Sequence, residues 1–415
     1  MLESVQGPWA IVFYQSATKK LWFGRDYFGR RSLLWKFDEN AFVLSSVGTR
    51  SDASWREVSA NGIFCLDLEK QASASHAERL TCFPWVSITS GVQKASCLGP
   101  QCTVQSGSQI VPPCSVSGLK EVVKSQCEEP VVLLGGGRLQ QLVQSCHDKN
   151  LWDLCDTFLS VLKGAVMRRT RGRDSGQGVA LLFSGGLDCT VLAALAHHCL
   201  PRDETIDLIN VAFARQGLGG EGAAAKDLPK VPDRETGLAS CAELRALFPS
   251  RRWRLVRANV SPDELRRLRA GRVADLAFPN ETVLDDSIAC AVWFAARGVG
   301  LATDDQDGGG DATDDRRCEE EVYRSAAKIL LCGMGADEQL GGYSRHRGLF
   351  EKHRDWAVVD REIKMEIERI SSRNLGRDDR WARCFFRCNI SFICLVIVSK
   401  LAVTVFITSP PLEIL

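Results

Sequence analysis

The chain has 415 residues, enough for two or three domains of ordinary size, and its 45% hydrophobic content supplies a sizeable core. Its 52 Lys and Arg residues balance 51 Asp and Glu residues, and the net charge of +1 gives no electrostatic case for nucleic acid or an acidic membrane surface. The 17 cysteines include no C-x2-C pair, and the opening MLESVQGPWAIVFY lacks a signal-peptide pattern, so zinc and secretion are disfavoured and reduced thiols in a cytoplasmic protein are expected.

Trp9–Tyr14, Leu21–Phe23, Ser32–Trp35 and Ala41–Ser45 read as short strands between polar turns, the rhythm of an antiparallel β region over residues 1–64. Residues 65–138 are rich in Ser, Cys, Gln and Pro, with Pro112 and Pro113 as breakers, and read as an irregular linker or insertion. A helical stretch over roughly 139–168 follows, its apolar positions including Leu151, Leu154, Phe158 and Leu162. It opens a unit running to residue 380.

From residue 179 the pattern changes to strand and helix in alternation. Val179–Phe183 is a buried strand, Thr190–Cys199 a helix, and Asp207–Phe213 and Trp253–Val260 are strands. Ser261, Pro262 and Glu264 start a helix as N-cap, first-turn proline and capping-box acid. Thr282–Arg297 is a further helix and Lys328–Cys332 a further strand. This alternation predicts an α/β parallel sheet covered on both faces. Two stretches interrupt it: a Gly/Ala-rich loop at 216–230 and an acidic insertion at 304–321. Residues 381–415 form an apolar tail of aberrant pattern. Its run Phe385–Ile407 is broken by Arg387, Asn389 and Lys400, so no stable membrane span is expected.

The strongest chemical signal is VALLFSGGLDCTVLAALA, in which a buried strand meets a helix across Ser184, Gly185, Gly186, Leu187 and Asp188. The glycines let backbone approach a phosphate, and the helix start offers a positive end for it. Asp188 suits Mg2+ rather than the polyanion itself, since carboxylate and phosphate repel. The run resembles the PP-loop of ATP-pyrophosphatases, with Cys189 where that family usually has serine. A second motif, LLCGMGADEQLGGYSRHR at 330–347, resembles the signature of the asparagine synthetase family. Its glycines Gly333 and Gly335 open space beside a nucleotide, and Asp337 brings a second carboxylate towards the metal. GPWAIVFYQSATKKLWFGRDYFGRRSLLW at 7–35 resembles part of the class II glutamine amidotransferase domain that precedes the synthetase domain in this family, and Asp26 matches its position for the glutamine amino group. ISSRNLGRDDR at 370–380 resembles a further synthetase-domain motif.

The resemblance implies a PP-loop domain of the adenine nucleotide α-hydrolase-like fold behind an incomplete amidotransferase remnant, with the chain truncated at both ends. It implies ATP-dependent, AMP-forming amidation of aspartate, or a similar small carboxylate, through an aspartyl adenylate. ATP and Mg2+ would be held by Ser184, Gly185, Gly186, Leu187, Asp188, Cys189, Gly333 and Gly335, with Asp188 and Asp337 on the metal. Three departures bear on activity. The family's N-terminal cysteine nucleophile has no counterpart, so glutaminase activity is not expected. Met334 stands where the family has a glutamate thought to handle protons. The resemblance ends at Trp381. A non-catalytic nucleotide-binding scaffold and another PP-loop ATP-pyrophosphatase therefore stand as alternatives.

Overall fold

A computed structural model of the protein describes residues 8–37, 41–70, 76–86, 103–104, 149–171, 176–214, 231–280, 282–302, 321–373 and 391–394. The loop at 216–230, the acidic insertion up to residue 320, the first part of the helical stretch from 139 and most of the 65–138 linker lie outside these residues.

The N-terminal part is built from strands β1 (Ala10–Gln15), β2 (Lys20–Arg25), β3 (Leu34–Phe37), β4 (Phe42–Ser45), β5 (Arg56–Glu57), β6 (Gly62–Asp67), β7 (Leu80–Pro84) and β8 (Thr103–Val104). They form a five-stranded sheet in the order β1-β2-β6-β7-β8 and a three-stranded sheet β4-β3-β5. All pairings are antiparallel except β7 with β8. Successive strand residues face opposite sides, and β6 shows the consequence. Phe64 and Leu66 pack with Phe23, Trp35 and Leu80 in the core between the sheets, whereas Ile63 belongs with Tyr27, Phe28 and Trp85 to the core shared with the second part of the chain. Residues 80–84, read from sequence as irregular, are a strand: Leu80, Cys82 and Pro84 alternate inward in a segment too short to stand out beside its Ser-rich flank.

Helix α1 (Lys149–Thr170) leads into the α/β part, which continues with β9 (Gly178–Leu182), α2 (Leu187–Cys199), β10 (Ile206–Phe213), α3 (Pro232–Leu247), β11 (Trp253–Val260), α4 (Pro262–Leu268), α5 (Val283–Ala296), β12 (Val299–Ala302), β13 (Glu321–Arg324), β14 (Ala327–Cys332), α6 (Ala336–Leu340), α7 (Ser344–His353), α8 (Trp356–Arg373) and β15 (Ser391–Cys394). The sheet has the order β13-β12-β11-β10-β9-β14-β15. Strands β11, β10, β9, β14 and β15 are mutually parallel, while β12 and β13 add an antiparallel edge. Their near-continuous apolar runs fit burial on both faces. One face meets α1, α2 and α3 through Leu181, Leu195 and Leu244; the other meets α5 and the N-terminal sheet through Val256, Trp293 and Trp85.

Local signals explain most of the boundaries. Ser261 caps α4 by accepting from the Glu264 amide at 3.2 Å, although the Glu264 carboxylate turns to Arg297 instead of completing the box. Thr282 caps α5 in the same way through the Asp285 amide at 3.1 Å. Helix α2 starts at Leu187, a full turn before the alanine-rich run, because Gly186 is its N-cap. Ser391–Cys394, assigned from sequence to an aberrant tail, adds a parallel strand beside β14, with Cys394 opposite Cys332. Among the described residues no helix is long and apolar enough to cross a membrane.

Candidate functional site

Strand order reverses between β9 and β14: the chain runs from β9 outward through β10 and β11, then returns to β14 on the other side of β9. In open α/β sheets the crevice beyond the carboxyl ends of such a strand pair is where ligands bind. A cleft of about 490 Å3 lies there. Ser184 and Gly186 line it from the loop after β9, with Asp188 and Cys189 from the start of α2; Gly333, Met334 and Gly335 line it from the loop after β14, with Asp337 from the start of α6. Two residues expected at the site do not line this cleft. Gly185 packs behind the loop, and Leu187, 79% exposed, faces a separate apolar groove of about 250 Å3 between α1, α2 and α6.

The glycines have distinct jobs. Gly185 has φ +85°, and a Cβ there would lie 2.3 Å from the Thr236 backbone, so only glycine lets the loop sit this close to α3. A Cβ on Gly333 would lie 2.6 Å from Cβ of Asp188, so glycine there lets the two loops meet. Gly186 differs. Its φ is −68°, and a Cβ would meet only Ser184 Oγ at 3.4 Å, an ordinary contact. The space over Gly186 belongs to the cleft, and a side chain there would fill the cradle without disturbing the fold.

Asp188 and Asp337 face each other electrostatically. Burial, and then the negative charge of Asp337, raise the Asp188 carboxyl above its ordinary value. Neither carboxylate accepts a hydrogen bond from another described residue, although Asp188 is open to the cleft. Such a pair can share a divalent cation. Among the described residues no three His, Cys, Asp or Glu side chains converge on one point, so further ligands would be water and oxygens of a bound anion, the usual manner of magnesium. Beside them Tyr343 donates to Glu338 at 2.7 Å, and burial together with that bond pushes the Tyr343 phenol up. The Arg345 guanidinium stacks over the Tyr343 ring at 3.9 Å. The Cys189 thiol turns inward and donates to Gly186 O at 3.1 Å.

Asp26 sits elsewhere, at the turn after β2. Its carboxylate accepts from the amides of Trp9, Phe28 and Arg30 and from Arg30 Nε at 2.9 Å. Those four donors occupy both oxygens, and the side chain is buried.

Sequence reasoning missed the support beneath the loop. Asn210 of β10 donates to Phe183 O at 2.8 Å and to Asp233 O at 2.7 Å. Thr236 and Ser240 of α3 donate to Ser184 O and Gly185 O, each at 2.7 Å. An asparagine inside the apolar run Ile206–Phe213 and a glycine, Gly237, inside a helix were the available signals. They belong together, since a Cβ on Gly237 would lie 2.4 Å from Asn210 Nδ2.

The fold and cleft define the class: an α/β protein with a ligand crevice at the switch point of a mostly parallel sheet, joined to an antiparallel β part. The chain is 39% identical to asparagine synthetase domain-containing protein 1 of Bos taurus, over 92% of this chain and 67% of that one. It is equally similar to the protein of that name from Homo sapiens, at 39% identity with the same coverage. A relative in Saccharomyces cerevisiae, asparagine synthetase domain-containing protein YML096W, is 26% identical over 92% of this chain and 59% of its own length. The chain belongs to this family of asparagine synthetase domain-containing proteins. No protein-family model matches it.

Proposed function

We propose that the cleft is a Mg2+-dependent ATP site of the PP-loop type, and that the protein is an AMP-forming amidoligase of the asparagine synthetase kind acting on aspartate or a similar small carboxylate. The observation that carries this reading is the meeting of Asp188 and Asp337, two carboxylates without hydrogen-bond donors among the described residues, beside the open cradle over Gly186. Two like charges at one anion-sized space are unfavourable unless a cation joins them to phosphate oxygens. Asp188 and Asp337 would hold Mg2+, which when bound would neutralise charge on the leaving pyrophosphate. Ser184, Gly186 and the start of α2 would bind the pyrophosphate itself, and Gly333 and Gly335 would keep the opposite wall clear. Apolar side chains lining the same cleft, Val211, Leu284 and Ile288, suit a nucleoside and help exclude water. In the reaction, a substrate carboxylate oxygen bonds to the α-phosphorus while the bond to pyrophosphate breaks; ammonia then adds to the activated acyl carbon, loses its proton and displaces AMP.

Met334 favours a second reading. It lines the cleft with a thioether that has no proton to give and no basic oxygen to receive one. Nucleotide binding without amide formation is consistent with that side chain. ATP–pyrophosphate exchange dependent on aspartate, read together with amide formation from ammonia, separates the two. Exchange with amide formed from ammonia supports the first reading; exchange without amide, or binding of Mg·ATP with no exchange for any small carboxylate, leaves the second. Where exchange occurs without amide, Met334→Glu should gain ammonia-dependent amide formation if a missing base is the obstacle.

A further inference from the structure

We infer that Thr236 and Ser240, together with Asn210, position the phosphate loop by holding its carbonyls. This rests on the reading of the cleft as a pyrophosphate site. Three successive carbonyls, those of Phe183, Ser184 and Gly185, are each bound by a side-chain donor from β10 or α3, at 2.8, 2.7 and 2.7 Å. In a planar trans peptide the carbonyl of one residue and the N–H of the next point in opposite directions. Pulling the Ser184 and Gly185 carbonyls towards α3 therefore turns the N–H groups of Gly185 and Gly186 away from that helix, the latter towards Ser184 Oγ at 3.3 Å, and holding the Phe183 carbonyl on Asn210 fixes the Ser184 N–H in the same way. Without these donors the carbonyl dipoles would be free to rotate into the space an anion needs. The arrangement is built in rather than incidental. Gly185 and Gly237 remove the Cβ atoms that would push loop, helix and Asn210 apart, and Asn210 also binds Asp233 O, tying the start of α3 to the same loop. Thr236 and Ser240 stand one helical turn apart, so their hydroxyls follow the loop along one face of α3. They touch no ligand on this account; they act through the amides.

The test uses the full chain and two probes, inorganic pyrophosphate with Mg2+ and adenosine, measured by titration calorimetry. Removing both hydroxyls in Thr236→Val/Ser240→Ala should weaken pyrophosphate binding about tenfold or more, with adenosine binding held within about twofold. Restoring one donor, as Thr236→Ser/Ser240→Ala, should recover part of the loss. Equal pyrophosphate affinity in the double variant and the parent would overturn the inference while leaving the pyrophosphate site standing. A parallel loss of adenosine binding, or no recovery with serine, would make the hydroxyls merely structural and overturn it as well. If the parent chain binds no pyrophosphate, the reading of the cleft falls and the inference with it.

Discussion

Asp26 and Asp188 each follow closely on a strand, one in a turn and the other in the first turn of α2, yet their surroundings are opposite. Four donors saturate the Asp26 carboxylate, so its charge is spent on holding the turn after β2 against Trp9. Asp188 has no such donor among the described residues, and the charge of Asp337 acts on it as a like one. A carboxylate whose oxygens are filled by its own chain is a strut. One left crowded and open is strain that a cation can relieve. Among the described residues the two parts differ at these positions: donors fill Asp26 in the β part, while Asp188 in the α/β part lies without one beside the cleft.

The largest expected effect separates the two acids. Asp26→Ala strands buried amide donors and Arg30, and should cost about 3–5 kcal/mol of stability in denaturant unfolding. Asp188→Asn should leave the unfolding midpoint in place, or raise it, while Mg2+-dependent ATP binding falls by on the order of 100-fold. Similar destabilisation by both substitutions would break the contrast.

Next come the adjacent glycines. Gly185→Ala meets the Thr236 backbone at positive φ and should destabilise by about 2–4 kcal/mol. Gly186→Ala should cost less than about 1 kcal/mol, a helix-cap effect, yet still weaken pyrophosphate binding. Thermal melts and calorimetry on the same samples read both quantities.

How much of this was legible in the sequence follows from distance along the chain. Strands β9, β10, β11 and β14 stood out because buried parallel strands are nearly continuous apolar runs, and both loops sit directly at strand ends. Their partnership depended on the resemblance, since Asp188 and Asp337 are joined only by sheet order. Thr236 and Ser240 were invisible: they lie some fifty residues from the carbonyls they hold, on a helix whose polar face looks ordinary. Strand β15 was hidden for another reason. Its pairing with β14 is made by backbone groups, which leave little mark on residue type.

Smaller effects sharpen the contrast further. The raised Asp188 carboxyl favours the ligand-free fold when protonated. Its contribution to stability is complete below the ordinary carboxylate range and is lost as pH rises through the raised value. Solvent in the open cleft screens it, so the change in stability should be slight. Mg2+ affinity should run the other way, falling as pH is lowered through the same raised value and beginning to fall above the usual aspartate range; a profile centred on the ordinary aspartate value would contradict the crowding of Asp188 by burial and Asp337. Smallest of all, Cys189→Ser keeps a donor towards Gly186 O and should change ATP affinity by no more than about threefold.

The most direct measurement is calorimetric titration of the full chain with ATP, once with Mg2+ and once with the metal chelated, repeated for Asp188→Asn. Saturable binding with Mg2+, lost on chelation and lost in the variant at unchanged stability, is the expected result. Equal binding with the metal removed, or unaltered Mg2+-dependent binding by Asp188→Asn, would contradict the role given to the carboxylate pair.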